Sequence, residues 1–198
     1  MLSLNKLEPN CFIVFKKKNN PKNYEEDCDY KVRECLREAL DEEQKGQCFY
    51  CEQKIQESRI DHFIPRDAIN EKNIECNYNN LFLSCNRKDS CDNKKGNKFD
   101  ENKYIRLFSN NHTLDNPLEF FDYTTNGKIK AKKSLSKDEI LRAENTIELL
   151  NLNHRDLINA RKITFKSIES MKSDILNIKI IYAYFEEFES IFKKFGNL

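Results

Sequence analysis

Four of the eight cysteines are spaced for metal binding: Cys48 and Cys51 as C-x2-C in "CFYC", Cys85 and Cys91 as C-x5-C. Four thiolates satisfy tetrahedral zinc, and two short-spaced pairs, each forming a tight knuckle, are an economical way to present them. The 33 residues between Cys51 and Cys85 exceed what a minimal finger needs, so zinc is expected to clamp the base of a folded unit. A redox role for Cys48 and Cys51 alone is the weaker reading, because it gives the second pair no part. Between the two pairs, "RIDHFIP" (residues 59–65) sets Asp61 beside His62 in a chain with only three histidines. An imidazole near its ordinary pKa of ~6.5 can take a proton at neutral pH, and a carboxylate can hold a cation. His112 in "SNNHTLDNP" and His154 in "NLNHRD" have no comparable setting and read as a loop residue and a residue of a helix's first turn.

These side chains must be brought together by short elements. The runs "RIDHFI" and "NLFLSC" are too short for a helix with a buried face and suit a small hairpin. Neighbours on a regular strand point to opposite faces, so Asp61 and His62 share a site only where the strand bends or twists; Pro65 is consistent with an early strand end. Upstream, "NCFIVFKKK" reads as a short strand. "YEEDCDYKVRECLREALDEEQKG" reads as one helix, with Tyr24, Cys28, Val32, Cys35, Leu36 and Ala39 at three- and four-residue steps and Gly46 ending it. Downstream, "PLEFFDYTTNGKIKAK" predicts two strands about an Asn126-Gly127 turn. "SKDE", Ser136 to Glu139, is a capping box opening the helix "DEILRAENTIELLN". Asn153, followed by Asp156, is placed to cap a helix through "LINARKITFKSIESMK", and "DILNIKIIYAYFEEFESIFKKFG" is a last amphipathic helix. The expected organisation is a strand and helix over 1–45, a metal-clamped core over 46–100, and a hairpin with a helical region over 101–198.

Composition sets the limits. A chain of 198 residues, 34% charged and 38% hydrophobic, with 14 Phe and 8 Tyr, can build one domain or one compact module with additions. No apolar run approaches the ~18–20 residues of a membrane span. The start, "MLSLNKLEPNCFIVFKKK", has no small-residue cleavage site, so a cytoplasmic, reducing location is expected. A disulfide framework is then not expected, and Cys11, Cys28, Cys35 and Cys76 read as small core hydrophobes. A net charge of +1 excludes capture of nucleic acid by overall charge; a local patch or a partner must do it. Arg87, Lys88, Lys94, Lys95 and Lys98 outnumber Asp89 and Asp92 and could guide a phosphate backbone. Lys16, Lys17 and Lys18, with Lys128, Lys130, Lys132 and Lys133, read more simply as solvated faces.

In order, "C-x2-C … DHFIP … NLFLSC … CDNKKG" over residues 46–98 resembles the HNH endonuclease family with its ββα-metal fold. The resemblance implies an α+β protein, a zinc-clamped HNH core embedded in a mainly helical chain. It casts Asp61 as a metal ligand, His62 as general base and Asn80 as the residue ordering the connecting loop. Asp92 completes the metal site where the family usually has His before x-x-Lys-Gly; Asn93 is the substitute if Asp92 is not a ligand. Lys95-Gly96 matches the closing pair. Two carboxylates make a hard oxygen site, so Mg2+ or Mn2+ is expected there and zinc at the cysteines. The early "FKK" segment, "CFYCE" and "LLNLNHRDLINAR" are similar to the HNH subunits of Septu-type and retron-associated anti-phage systems. That likeness implies DNA as substrate, no membrane, and an ABC-like ATPase partner; the apolar positions Ile180, Ile181, Tyr184, Phe185, Phe188 and Phe192 could dock it but read more simply as core. An RNA substrate, or an inert zinc-stabilised nucleic-acid-binding or adaptor subunit, is the alternative.

Overall fold

A computed structural model describes residues 1–67, 74–108, 113–170 and 187–195. The protein is a mixed helix and sheet structure with two small antiparallel sheets. Helix α1 spans Asn10–Asn19, α2 Tyr24–Asp27 and α3 Tyr30–Gln44. Strands β1 (Ser58–His62) and β2 (Leu81–Cys85) form the central hairpin, followed by the short helix α4, Cys91–Lys95. Then come α5 (Pro117–Phe120), β3 (Phe121–Tyr123), β4 (Ile129–Ala131), α6 (Lys137–Leu149), α7 (Arg155–Ser170) and α8 (Glu189–Phe195). Among the described residues no helix is long and apolar enough to cross a membrane.

The expected strand at "NCFIVFKKK" is instead helix α1. Phe12 and Phe15, three residues apart, stack with centroids 6.1 Å apart, and Phe12 is buried in a cluster with Leu36 and Leu40 of α3. Pro9 precedes the helix, and Lys16, Lys17 and Lys18 lie in its last turn, where cations suit the dipole. The helix expected over 24–46 is broken. Cys28 leaves helical geometry, and the Asp29 side chain accepts from Val32 N–H to cap α3. Cys11 and Cys35 are joined as a disulfide between α1 and α3, with Cα atoms 6.8 Å apart. Cys11 is exposed and Cys35 half-buried, so neither is the core hydrophobe expected; Cys28 and Cys76 are buried thiols.

The central hairpin divides two buried clusters. On β2, Leu81 and Leu83 face α1 and α3, while Phe82 points the other way and stacks on Phe49 at 4.0 Å. This two-residue alternation sets the register, Ser58 opposite Cys85 through His62 opposite Leu81. The outer edge of β2 is closed by the buried Gln44 side chain, which accepts from Leu83 N–H at 2.8 Å and donates to Leu83 O at 3.0 Å. A side-chain amide thus supplies what a third strand would.

The downstream half packs onto the knuckle side. The capping box of Ser136 and Glu139 opens α6, and Leu150 just beyond it accepts from Cys91 N–H at 2.9 Å. Asn153 does not cap α7: its side chain bonds Ile129 N–H and C=O at 2.9 and 3.0 Å, and His154 Nδ1 instead accepts from Asp156 N–H. Phe188 and Phe192 are buried in the main cluster. Ile180, Ile181, Tyr184 and Phe185 lie outside the described residues, as does His112.

Candidate metal centre and acid–histidine cleft

The four clustered cysteines converge. Cys48 and Cys51 sit on a tight turn in which Cys48 N–H bonds Gln53 O and Glu52 N–H bonds Cys48 O, both at 2.8 Å. Cys85 ends β2, and Cys91, with a left-handed φ of 57°, opens α4. Sγ atoms lie 3.8 Å apart for Cys48 and Cys91 and 3.9 Å for Cys51 and Cys85, and all four fall within 4.8 Å of one another. A zinc ion with Zn–S bonds of ~2.3 Å puts its sulfurs about 3.8 Å apart. The donor set therefore fits, and the cluster could hold a metal such as zinc. Hydrogen bonds from Cys48, Cys51 and Cys91 hold the Cys85 thiol below its usual pKa, whereas contacts with Cys48 and Cys85, together with burial, push Cys51 and Cys91 up.

The hairpin tip and α4 enclose a cleft of about 270 Å³ whose walls include Asp61, His62, Asp92, Lys95, Arg59 and Arg66. Asp61 is 7% exposed; its Oδ1 takes a hydrogen bond from Lys95 Nζ at 3.0 Å, and its Oδ2 accepts from the Tyr50 hydroxyl. Burial lifts the Asp61 carboxyl to about 7, opposed by the Lys95 ammonium and assisted by Asp92, which lies within hydrogen-bonding reach. Burial and the Asp61 charge push the Tyr50 phenol well above its usual range, so it stays a donor.

His62 ends β1. Its Nε2 lies 2.9 Å from Glu75 O, and a carbonyl can only accept, so Nε2 carries the proton and Nδ1 keeps the lone pair. Tyr24 meets the ring edge-on at 4.9 Å. Burial depresses the His62 pKa to about 4, against the help of the Glu75 carbonyl. The unfolded chain therefore binds this proton first as pH falls. The stability that the neutral ring contributes is complete above about 6.5 and declines from there to about 4. An NMR titration of the His62 ring is expected to show a midpoint near 4; a midpoint near 6.5 would mean that the ring is solvated.

Asp61 and His62 are the last two residues of β1, and both line the cleft. Lys95 Nζ takes the carbonyls of His62 at 2.6 Å and Phe63 at 3.2 Å. Asn80, fully buried, accepts from Ile64 N–H at 2.8 Å and donates to Ile64 O at 2.9 Å and Ile74 O at 3.2 Å. Asn80 is absent from the cleft lining; it ties the chain leaving β1 to the chain entering β2. Asn80→Ala would leave those buried backbone groups unpaired at ~1–3 kcal/mol each. A loss of roughly 3 kcal/mol or more in denaturant unfolding is expected, and a loss under about 1 would mean that water replaces the amide.

Sequence reasoning singled out Asp61 and His62 from the residues and took Asp92 from the family resemblance, and all three line the cleft. It missed Tyr50, whose place inside "CFYC" over the hairpin was the available signal. It also misassigned Lys95, counted among the backbone-guiding cations but 1% exposed and bonded inward. Lys95 lies one helical turn from Cys91 and Asp92, spacing that points it at the same side. Arg87 is drawn to Gln53 and Asp156, while Lys88, Lys94 and Lys98 remain exposed. Arg59 reaches over the cleft edge, with Nε 3.8 Å from Asp92 Oδ2 and Nη1 on Asn93 Oδ1. No protein-family model matches this chain, and no curated protein matches it.

Proposed function

We propose that this protein is a metal-dependent HNH-type endonuclease that hydrolyses DNA phosphodiester bonds. The observation that carries the reading is one cleft lined by Asp61, Asp92 and a neutral His62 whose Nδ1 keeps its lone pair. In this reading His62 Nδ1 takes the proton of the attacking water, and the Nε2–H···O=C bond to Glu75 fixes the ring's tautomer. Asp61 and Asp92 supply hard oxygen donors for Mg2+ or Mn2+, which when bound polarises the phosphate and stabilises the leaving oxygen. Tyr50 and Asn80 hold the acid and the loop, and the four cysteines bind structural zinc. Arg59 and Arg66 at the cleft, with the exposed Lys88, Lys94 and Lys98, would steer the DNA backbone. The resemblance to anti-phage HNH subunits makes the chain the nuclease effector of a defence complex with an ABC-like ATPase, in keeping with a net charge of +1 that leaves DNA capture to local patches or a partner.

The test is plasmid cleavage across a metal series, with and without any co-encoded ATPase. Cleavage is expected with Mg2+ or Mn2+. Because the cation competes with the Asp61 proton, cleavage at limiting cation should rise with pH through about 7. Activity with zinc alone, or none under any condition, overturns the reading. One observation favours the inert adaptor instead: both Asp61 oxygens are already bonded within the protein. A carboxylate offers about four lone-pair sites, so two remain for a cation.

A further inference from the structure

Lys95 is a cation buried where the proposed site needs one from outside. Its ammonium is 1% exposed, and its three N–H groups are matched by three acceptors: Asp61 Oδ1 at 3.0 Å, His62 O at 2.6 Å and Phe63 O at 3.2 Å. Asp92, three residues earlier on α4, lines the same cleft as Asp61. Two carboxylates this close repel, and a buried ammonium on one of them offsets the repulsion.

We propose that the Lys95 ammonium is a built-in counter-ion of the cation site, holding Asp61 and Asp92 together without metal and making tight cation capture depend on the substrate phosphate. The proposal rests on the nuclease reading of the cleft. Charge bookkeeping carries it. With Asp61 ionised, the two carboxylates and one ammonium leave a single net negative charge, Arg66 and Asp67 of the lining offsetting each other; a divalent cation overshoots it by one, and one phosphodiester restores neutrality. Arg59, the other cation near Asp92, is 53% exposed on its side chain, so water screens it and it is able to turn toward a phosphate. Lys95 has no such exit: three bonds fix it, and its charge acts on an incoming cation through a dry interior. Such a cleft holds a divalent ion weakly until DNA arrives, which keeps a nuclease idle without substrate. Lys95 is a positioning residue in this scheme and touches neither DNA nor water.

The experiment is Mn2+ binding followed by electron paramagnetic resonance on the full-length, zinc-loaded chain. It compares wild type, Lys95→Gln, which can still donate to the two carbonyls, and Lys95→Met. Each is titrated alone and with a short phosphorothioate duplex that resists cleavage. Removing the buried charge is expected to tighten Mn2+ binding without DNA by roughly tenfold or more. The duplex should tighten wild-type binding by a similar factor and tighten Lys95→Gln far less. A purely structural Lys95 gives the opposite sign, because loosened carboxylates bind Mn2+ more weakly, and that result overturns the proposal. Should both variants lose zinc or helical signal, the wild-type arm decides: a duplex that leaves Mn2+ affinity unchanged overturns it. Wild-type cleavage with untightened variants sinks this inference alone. Mn2+ binding that follows the expected pattern without any cleavage sinks the nuclease reading and leaves the counter-ion role standing.

Discussion

Stripping the metal from the four-cysteine cluster, or replacing Cys51 with serine, is expected to collapse the segment between Gln47 and Phe99. Cys48 and Cys51 lie on one turn, Cys85 ends β2 and Cys91 starts α4, so the hairpin, its upstream turn and its downstream helix meet at the sulfurs. Structural zinc in small domains contributes ~10–16 kcal/mol of apparent binding free energy, as large as the ~5–15 kcal/mol by which whole domains are stable. Without metal, the four thiols crowd together in a buried pocket where a thiolate has no counter-charge. The stacked Phe49 and Phe82 and the Cys91 N–H bond to Leu150 would be released with them. A chromophoric chelator should therefore release about one zinc per chain in step with loss of tertiary circular dichroism. Metal release with the near-ultraviolet signal intact would show that the apolar clusters suffice.

The second large effect falls on chemistry and spares the fold. His62→Ala should lower DNA cleavage by ~10²–10⁴, the range for loss of a positioned general base. Zinc content should be unchanged, because the clustered sulfurs contact one another while the ring bonds Glu75 O. The stability cost is small by comparison: one hydrogen bond to Glu75 O and one edge contact with Tyr24, about 1–2 kcal/mol together. A cleavage assay beside a metal assay and a melting curve separates the two effects. A variant that retains zinc and cuts DNA at the wild-type rate would leave the adaptor reading as the better one.

Local chemistry was readable along the chain. The capping box at Ser136 and Glu139 and the turn at Asn126-Gly127 formed where their residues indicated, because each needs only neighbours a few residues away. The runs 59–64 and 80–85 were legible as a small hairpin, and residues 58–62 and 81–85 pair because Leu81 and Leu83 bury on one side and Phe82 on the other. The segment "NCFIVFKKK" failed as a strand because a five-residue apolar run carries no period of its own. With α3 beside it, the three-residue spacing of Phe12 and Phe15 became the one that buries. Cys11 and Cys35 could not be paired from sequence, since their meeting depends on that same packing of α1 against α3.

The candidate site divides the same way. Residue types and spacing alone picked out the four cysteines and the pair Asp61 and His62, because tetrahedral thiolate binding and a base beside an acid each leave a local pattern. Tertiary structure decided everything that depends on distance through space: that Asp92 lies against Asp61, that Tyr50 donates to it, and that Glu75 O selects the His62 tautomer. It also turned Lys95 from an apparent surface cation into a buried crosslink. A lysine's charge is visible in a sequence, but its partner is set by which carbonyls are freed when a strand ends, and only the folded chain brings those groups together.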